Sequence, residues 1–202
     1  MAREHRCPCC GQELDEIETC CSVSYWCDPC QRQYMESDFK TLIIDFLYLD
    51  VTVCDRCQGA EANLTAAIDQ VSDQLTTAGV SVEFNKVNVV NEQQAKKLRF
   101  ASSPTIRING RDIQPVMKET YCDACGELCG DSIECRVWMY GGKEYTVPPQ
   151  DMIAEAIMSA AESGTGQTTA AYSTEFIVPE NVERFFDGLR RQEHSKSSCC
   201  GD

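Results

Sequence analysis

The sequence predicts an α/β fold in which a sheet is flanked by helices. Apolar runs of strand length alternate with segments of helical periodicity, and 43% of the residues are hydrophobic, which is enough for a globular core. With 202 residues, the chain is long enough for one compact domain with appendages. We therefore expect a Cys-rich segment over 1–37, an α/β domain over 38–162 and a C-terminal region over 163–202.

The elements of the α/β domain follow from the hydrophobic pattern. A Leu/Ile/Phe-rich run over 41–49 predicts a strand buried on both faces, and apolar residues from Leu64 to Leu75 recur at helical spacing. Alternating residues over 80–84 predict a second strand. The other predicted elements are a helix from Asn91 to Phe100, a strand entered through Ser103-Pro104 and left through an Asn109-Gly110 turn, strands over 136–140 and 144–147, a helix from Pro148 onward, and an amphipathic helix over 179–189.

Charge and cysteine content restrict the function. The net charge of −14 argues against nucleic-acid binding, because that interaction depends on basic side chains that contact phosphates. The N-terminus has no apolar signal core, and Asp45 and Asp50 interrupt the most apolar stretch. We therefore expect neither export nor a membrane span, and we expect a cytoplasmic protein. With 15 Cys and 2 His, sulfur chemistry is the natural expectation, since cytoplasmic cysteines are mostly thiols or metal ligands.

Seven cysteines lie near the N-terminus, and four of them have the C-x2-C…C-x2-C spacing of a zinc site. The four candidate ligands are Cys7, Cys10, Cys27 and Cys30. Four thiolates at the corners of a tetrahedron bind one Zn²⁺. The segment resembles a zinc ribbon through its CPxCG knuckle, which implies a structural zinc. Cys9, Cys20 and Cys21 are surplus, so a site for several metals or for a soft metal stays open.

Cys54 and Cys57 form a CxxC motif at the start of the first predicted helix. The positive end of the helix dipole and the nearby Arg56 both favour a thiolate at Cys54. Because the thiolate is the nucleophile in disulfide exchange, Cys54 is the candidate attacking residue and Cys57 the resolving one. A simple metal knuckle or a pair of inert thiols is the alternative.

The order of elements, the CxxC motif and the Ser103-Pro104 peptide resemble the thioredoxin-like superfamily over about residues 41–161. The stretches FLYLDVTVCDRCQG, SSPTIRINGRDI and CRVWMYGGKEYTVPP are similar to a small thioredoxin-like family of unknown function. The resemblance implies a mixed sheet flanked by helices. It also implies that the bond before Pro104 is cis and faces the dithiol, and that the protein has a role in thiol or heavy-metal handling. Val53 departs from the superfamily pattern, in which an aromatic residue usually precedes the first cysteine.

A Cys-rich insertion over 119–135 separates the Pro104 strand from the next predicted strand. Its four cysteines are Cys122, Cys125, Cys129 and Cys135. They fit a second all-thiolate zinc site, an iron–sulfur site, or a dithiol relay beside Cys54. Because Pro104 lies shortly before it in the chain, we expect the insertion to lie near the CxxC motif.

The chain ends in an adjacent cysteine pair, Cys199-Cys200, after a small-residue linker over 164–173. Adjacent thiols are better chelators than disulfide partners, and they suit soft ions such as Hg²⁺, As(III) or Cu(I). The pair resembles the cysteine-pair ends of mercury-reducing and arsenic-methylating enzymes. The alternative is two exposed thiols with no task.

These observations give three functional hypotheses. The first is a thiol-disulfide oxidoreductase that acts on protein or small-molecule thiols and disulfides, in a setting of heavy-metal or metalloid handling. The second is a non-enzymatic carrier or trap for a soft metal, and the third is a zinc-ribbon adaptor that recruits a protein. Nucleic acid and membrane partners are not expected. Reversible oxidation of Cys54 and Cys57, against metal binding by the same residues, distinguishes the first two hypotheses.

Overall fold

The computed structural model describes residues 5–7, 9–10, 12–35, 38–163 and 175–197, with only the backbone described over 195–197. The strands are β1 Asp15–Glu18, β2 Val23–Cys27, β3 Arg32–Met35, β4 Lys40–Tyr48, β5 Val80–Asn88, β6 Thr105–Ile108, β7 Arg111–Asp112, β8 Glu119–Tyr121, β9 Glu134–Arg136, β10 Trp138–Tyr140 and β11 Lys143–Tyr145. The helices are α1 Asp55–Thr77, α2 Glu92–Leu98, α3 Asp123–Cys129, α4 Gln150–Ser163 and α5 Glu180–Ser197. The predicted linker over 164–173 lies outside the described residues.

The central sheet has the strand order β5-β4-β6-β7. Strand β4 pairs in parallel with β5 and antiparallel with β6, so the sheet is mixed as predicted. The alternate residues Leu42, Ile44 and Phe46 of β4 are fully buried. Asn109 and Gly110 connect β6 to β7 with positive φ angles of 51° and 78°, which confirms the predicted Asn-Gly turn.

Helices cover this sheet and confirm the mixed α/β architecture. Helix α1 packs against α4, and the residues of α1 that are buried recur at helical spacing along one face. Cys54 is the N-cap of α1, so the helix begins at the CxxC motif as expected. The side chain of Asn91 accepts a hydrogen bond from the backbone N–H of Gln94 at 2.8 Å, which confirms the predicted cap of α2.

The N-terminal segment forms a separate three-stranded antiparallel sheet in the order β1-β2-β3. Leu14, Tyr25 and Tyr34 make a small buried cluster together with Cys7 and Cys27. This cluster is distinct from the large core around β4 and α1. The segment therefore has little apolar surface of its own to bury, which is the situation in which small folds depend on a metal.

The predicted strand over 136–140 is divided between two hairpins. Strand β9 pairs with β8, whereas β10 pairs with β11 across Gly141 and Gly142. The chain changes partner at Val137, where the fully buried side chain of Arg136 turns inward and forms a 2.8 Å salt bridge with Asp112. Burying a guanidinium requires such partners, and they hold the chain at this bend.

Helix α5 packs against α3 and covers the Cys-rich insertion. Val182, Phe185 and Phe186 are its buried apolar residues, which agrees with the amphipathic helix predicted there. Within the described residues, every helix is either too short or too polar to cross a lipid bilayer.

Candidate metal centres

Cys7, Cys10, Cys27 and Cys30 come together in a group that we call the N-terminal tetrad. Their sulfur atoms all lie within 4.8 Å of one another. The Sγ atoms of Cys7 and Cys30 are 3.8 Å apart, and those of Cys10 and Cys27 are 3.4 Å apart. A zinc–sulfur bond of about 2.3 Å in a tetrahedron places the sulfurs about 3.8 Å apart. The group therefore has the size needed to hold one metal ion.

Hydrogen bonds stabilise negative charge on Cys7 in this tetrad. Its Sγ accepts the backbone N–H of Cys9 at 3.4 Å and lies 3.3 Å from the Tyr34 hydroxyl. Burial by itself raises the pKa of Cys7, but the hydrogen bonds from Tyr34 and from the backbone of Cys10 and Cys9 lower it to about 6. Such a thiol is ready to bind a metal as the thiolate near neutral pH.

The three surplus cysteines of this region stay outside the tetrad. Cys9 is exposed, and so are Cys20 and Cys21, which form the turn between β1 and β2. That turn lies at the opposite end of the hairpin from Cys27. The geometry thus selects four of the seven cysteines that the sequence left as alternatives.

A second group, the central tetrad, consists of Cys54, Cys122, Cys125 and Cys135. All four residues are buried, and their sulfurs lie within 4.8 Å of one another. The Sγ distances are 3.9 Å between Cys54 and Cys122 and 3.5 Å between Cys125 and Cys135. These values are again close to the sulfur separation around one tetrahedral ion. The first cysteine of the CxxC motif is therefore also part of a candidate metal site.

Three elements bring these sulfurs together. Cys54 is the N-cap of α1 and Cys122 is the N-cap of α3, both with extended backbone, and neither uses its side chain to cap the helix. Their sulfurs are therefore free of a capping role. Cys125 lies one turn into α3, and Cys135 is the middle residue of β9. The backbone N–H of Cys122 donates to Ile133 O at 2.8 Å and fixes the start of α3 next to β9.

Arg56 links α1 to the insertion. Its Nη1 donates to Thr120 O at 3.3 Å, to Thr120 Oγ1 at 3.0 Å and to Cys135 O at 3.3 Å. Its Nη2 donates to Tyr121 O at 2.6 Å. The sequence suggested that Arg56 acts as a charge beside the thiolate. In the structure its planar fork of donors also holds the strands β8 and β9 beside the CxxC motif.

Protons are shared unequally within the central tetrad. Hydrogen bonds from Cys122, Cys125 and Cys135 lower the pKa of Cys54 far below its usual value. The neighbouring thiols of Cys125 and Cys135 lower the pKa of Cys122 to about 7. In return, hydrogen bonding to Cys122 raises the pKa values of Cys125 and Cys135. A divalent cation would replace the protons that remain on these sulfurs.

Cys129 lies outside the central tetrad, although the sequence grouped it with Cys122, Cys125 and Cys135. It is one helical turn beyond Cys125, and four residues of α-helix advance about 6 Å along the axis. Its Sγ contacts Gly126 O at 3.9 Å instead. The ligand set of the insertion therefore changes by one residue, because Cys54 occupies the fourth position.

Cys57 also lies outside the tetrad and faces another partner. Its Sγ is 3.4 Å from Ser103 Oγ, and the Ser103–Pro104 peptide bond is cis, as the resemblance implied. The hydrogen bond to Cys54 and burial raise the pKa of Cys57. Cys54 and Cys57 are both 0% exposed. The two cysteines of the motif thus contact different groups: Cys54 contacts the tetrad, and Cys57 contacts Ser103, the residue before Pro104.

Helix α5 supports the central tetrad from outside, a role that the sequence did not suggest. The side-chain amide of Asn181 accepts from Glu134 N at 2.9 Å and donates to Glu134 O at 2.6 Å, next to Cys135. A 2.7 Å ion pair joins Arg191 to Asp131. In the sequence, the only indication of this contact was the apolar stripe of the helix, which predicts packing against another part of the protein. The candidate ligands Cys199 and Cys200 lie outside the described residues.

Comparison with known proteins places most of the α/β region in a family. A family model with the description "Domain of unknown function (DUF2703)" matches residues 42–157, which is more than half of the chain. The chain belongs to this family. No curated protein and no solved structure matches it.

Only one of the two candidate metal centres lies within the region that matches the DUF2703 family. The family region runs from β4 into α4 and contains all four cysteines of the central tetrad, together with Cys57 and Pro104. The N-terminal tetrad and helix α5 lie outside it. The central tetrad is therefore a feature of the family region of this chain, whereas the N-terminal tetrad belongs to a segment that precedes it.

Proposed function

We propose that this protein binds a metal ion in the central tetrad, on a scaffold of thioredoxin-like type, and that zinc is the first candidate ion. The observation that carries the proposal is the meeting of four buried sulfurs within 4.8 Å, although Cys54 and Cys122 are 68 residues apart in the chain.

The donor set narrows the choice of ion. Four cysteine sulfurs suit zinc and softer cations such as Cu(I) and Hg²⁺ and do not suit Mg²⁺ or Ca²⁺. The sulfur separations agree with a single ion, whereas an iron–sulfur cluster places several irons and sulfides between its cysteines. Four protein ligands leave no open position for a substrate, which favours a structural or carried metal over a catalytic one.

The N-terminal tetrad supports a structural role for a second ion. It joins the segment before β1 to the connection between β2 and β3, in a three-stranded sheet whose buried cluster is small. We assign it as a zinc-ribbon-like site that stabilises residues 1–37. A ribbon of this kind also leaves room for the weaker hypothesis of an adaptor that recruits a protein partner.

The thioredoxin-like assignment rests on three features. A parallel pair, β4 and β5, is connected through α1, the CxxC motif stands at the start of that helix, and a cis Ser103–Pro104 bond faces Cys57. The same features favour a second function, a thiol-disulfide oxidoreductase in which Cys54 attacks and Cys57 resolves. Its substrates would be protein or small-molecule thiols and disulfides in the cytoplasm, in the setting of Hg, As(III) or Cu(I) handling.

The two functions compete for one sulfur atom. Cys54 cannot hold a metal and attack a disulfide at the same time, because both reactions use the lone pairs of the same thiolate. Its complete burial also hinders the approach of a disulfide substrate. The geometry therefore favours metal binding for the assembled protein and restricts exchange to a metal-free form.

The CxxC motif itself supplies the matched pair of variants that tests the proposal. We expect protein purified without oxygen to carry two metal equivalents, Cys54→Ser to carry one, and Cys57→Ser to carry two. Elemental analysis measures the ratio, and circular dichroism verifies that both variants are folded. Two equivalents in Cys54→Ser would rule out the central tetrad as the site.

A second measurement separates the oxidoreductase from the metal-binding protein. Chelator-treated and metal-loaded protein are each incubated with oxidised glutathione, and formation of a Cys54–Cys57 disulfide is followed by mass spectrometry. We expect the disulfide only after metal removal. Equally fast formation in the metal-loaded protein would show that Cys54 is not held by an ion.

A further inference from the structure

We propose that Cys20 and Cys21 form an exposed dithiol site for a thiophilic ion, such as trivalent arsenic or Hg²⁺, separate from both tetrads. The two Sγ atoms lie 3.3 Å apart, and both residues are exposed. Neither belongs to a group of four sulfurs among the described residues. The proposal is independent of whether the central tetrad binds metal.

The surrounding turn fixes the two sulfurs side by side. Thr19 N donates to Ser22 O at 2.9 Å, and Thr19 Oγ1 donates to the same oxygen at 2.9 Å. Ser22 N donates to Thr19 Oγ1 at 3.1 Å. Strands β1 and β2 pair directly beyond the turn, with Glu18 opposite Val23. Because the backbone is already ordered, binding an ion loses less conformational entropy than it does in a flexible segment.

The geometry of Cys20 and Cys21 suits chelation of an ion better than formation of a disulfide. Neighbouring Cα atoms are about 3.8 Å apart, whereas disulfide-bonded cysteines usually have Cα atoms at least about 4.4 Å apart. A disulfide between Cys20 and Cys21 would therefore strain the turn. An ion that bridges the two sulfurs needs no such approach of the backbone.

Distance prevents this pair from completing the N-terminal tetrad. Cys27 lies six positions after Cys21, at the far end of β2, and at about 3.3 Å per residue this distance is about 20 Å. An ion at the turn therefore receives two protein sulfurs and is open to solvent on its other side. Such an ion exchanges with other thiols more readily than one enclosed by four buried sulfurs.

The binding reaction with an organic arsenical involves no oxidation or reduction. Phenylarsine oxide contains one arsenic–oxygen double bond. The thiols of Cys20 and Cys21 add their sulfurs to arsenic, two arsenic–sulfur bonds form, and the oxygen leaves as water with the two thiol protons. The product is a ring that contains both sulfurs and arsenic.

The test compares two adjacent cysteine pairs of the same chain. Full-length metal-loaded protein, Cys20→Ser/Cys21→Ser and Cys199→Ser/Cys200→Ser are each titrated with phenylarsine oxide without oxygen, and native mass spectrometry counts adducts and bound metal. We expect the Cys20→Ser/Cys21→Ser protein to take up one adduct fewer than the wild type, with its metal content unchanged. An equal number of adducts in that variant and the wild type would overturn the proposal.

A protection experiment on the wild type tests the same site without any variant. After one equivalent of phenylarsine oxide, iodoacetamide is added and the labelled cysteines are mapped. We expect Cys20 and Cys21 to be protected together while the exposed Cys9 is alkylated. Labelling of Cys20 and Cys21 at the rate found without arsenical would contradict the proposal.

Discussion

The N-terminal and central tetrads contain the same four sulfur donors at similar separations, but the chain builds them in different ways. The N-terminal tetrad takes all its residues from one short segment, between Cys7 and Cys30, and surrounds them with a small core. The central tetrad joins Cys54 to residues of an insertion that begins more than 60 positions later, and all four sulfurs are buried.

The two tetrads differ in how much of the fold each of them can stabilise. A local site can organise only the segment around it, whereas a site assembled from distant segments stabilises the arrangement of the whole domain. If the tetrads hold ions as proposed, loss of the central ion should therefore affect global stability, and the effect of losing the N-terminal ion should remain confined to β1, β2 and β3.

The largest effect is expected when Cys135 is replaced by Ser. The variant should lose one metal equivalent, and with it about 4 kcal/mol of unfolding free energy under conditions in which free metal exceeds Kd about 1,000-fold. Urea unfolding at fixed zinc concentration measures this change. Cys129→Ser is the matched control, because Cys129 is buried nearby but lies outside the tetrad. Equal metal loss in both variants would contradict the ligand set.

A smaller and local effect is expected for Cys30→Ser. The variant should also lose one metal equivalent, but the main unfolding transition should be unchanged, because the small N-terminal cluster is separate from the large core. Hydrogen exchange should accelerate in β1, β2 and β3 only. Cys9→Ser, which changes an exposed cysteine outside the tetrad, should keep both metals. Destabilisation of α1 in Cys30→Ser would show that the two centres are coupled.

The contact between α5 and α3 gives the third prediction. A Cβ atom at Gly188 would lie 2.8 Å from the Cβ of Cys129 and still closer to its carbonyl oxygen. Gly188→Ala should therefore push α5 away and lower the unfolding free energy by about 1–3 kcal/mol. Glu183→Ala changes an exposed residue on the same helix and is the control. Unchanged thermal unfolding of Gly188→Ala would mean that α5 does not need this close approach.

The smallest effect is expected for Arg56→Lys. Lysine keeps the charge but lacks the planar fork that contacts the carbonyls of Thr120, Tyr121 and Cys135. Zinc affinity of the central tetrad should fall about tenfold, as is typical when a residue that orients metal ligands is changed. Competition with a chromophoric chelator measures the affinity, and Arg190→Lys, in an exposed ion pair of α5, is the control. An affinity equal to that of Arg190→Lys would exclude this positioning role.

Much of the fold could be predicted from the sequence, because periodicity and turn chemistry act over short distances. The apolar run of β4, the helical spacing in α1 and the Asn109-Gly110 turn all have local causes. The N-terminal tetrad was predictable for the same reason, since its two C-x2-C pairs lie close together. The division of residues 136–140 between β9 and β10, which pair with different strands, was not predictable, because it depends on the buried contacts of Arg136.

The composition of the central tetrad could not be predicted, because topology selects its ligands. Cysteines of the insertion are neighbours in sequence, but the pitch of α3 carries Cys129 away from Cys122 and Cys125. The fourth ligand, Cys54, comes from a motif that by itself indicates a redox dithiol. One signal was present: the C-x2-C spacing occurs at the start of both α1 and α3, so that two helix ends offer a sulfur to the same point.

The long separation between Cys54 and Cys135 also sets a sequence of events during synthesis on the ribosome. The last N-terminal ligand, Cys30, is made 105 residues before the last central ligand, Cys135. At about 5–20 residues per second, this interval lasts about 5–20 s. Cys54 is made 81 residues before Cys135, so for most of that time a nascent chain has one complete four-sulfur site and a Cys54 thiol without its partners from the insertion. If both tetrads bind ions as proposed, the N-terminal tetrad is complete first and can bind its ion first, whereas the Cys54 thiol stays open to oxidants until the insertion emerges.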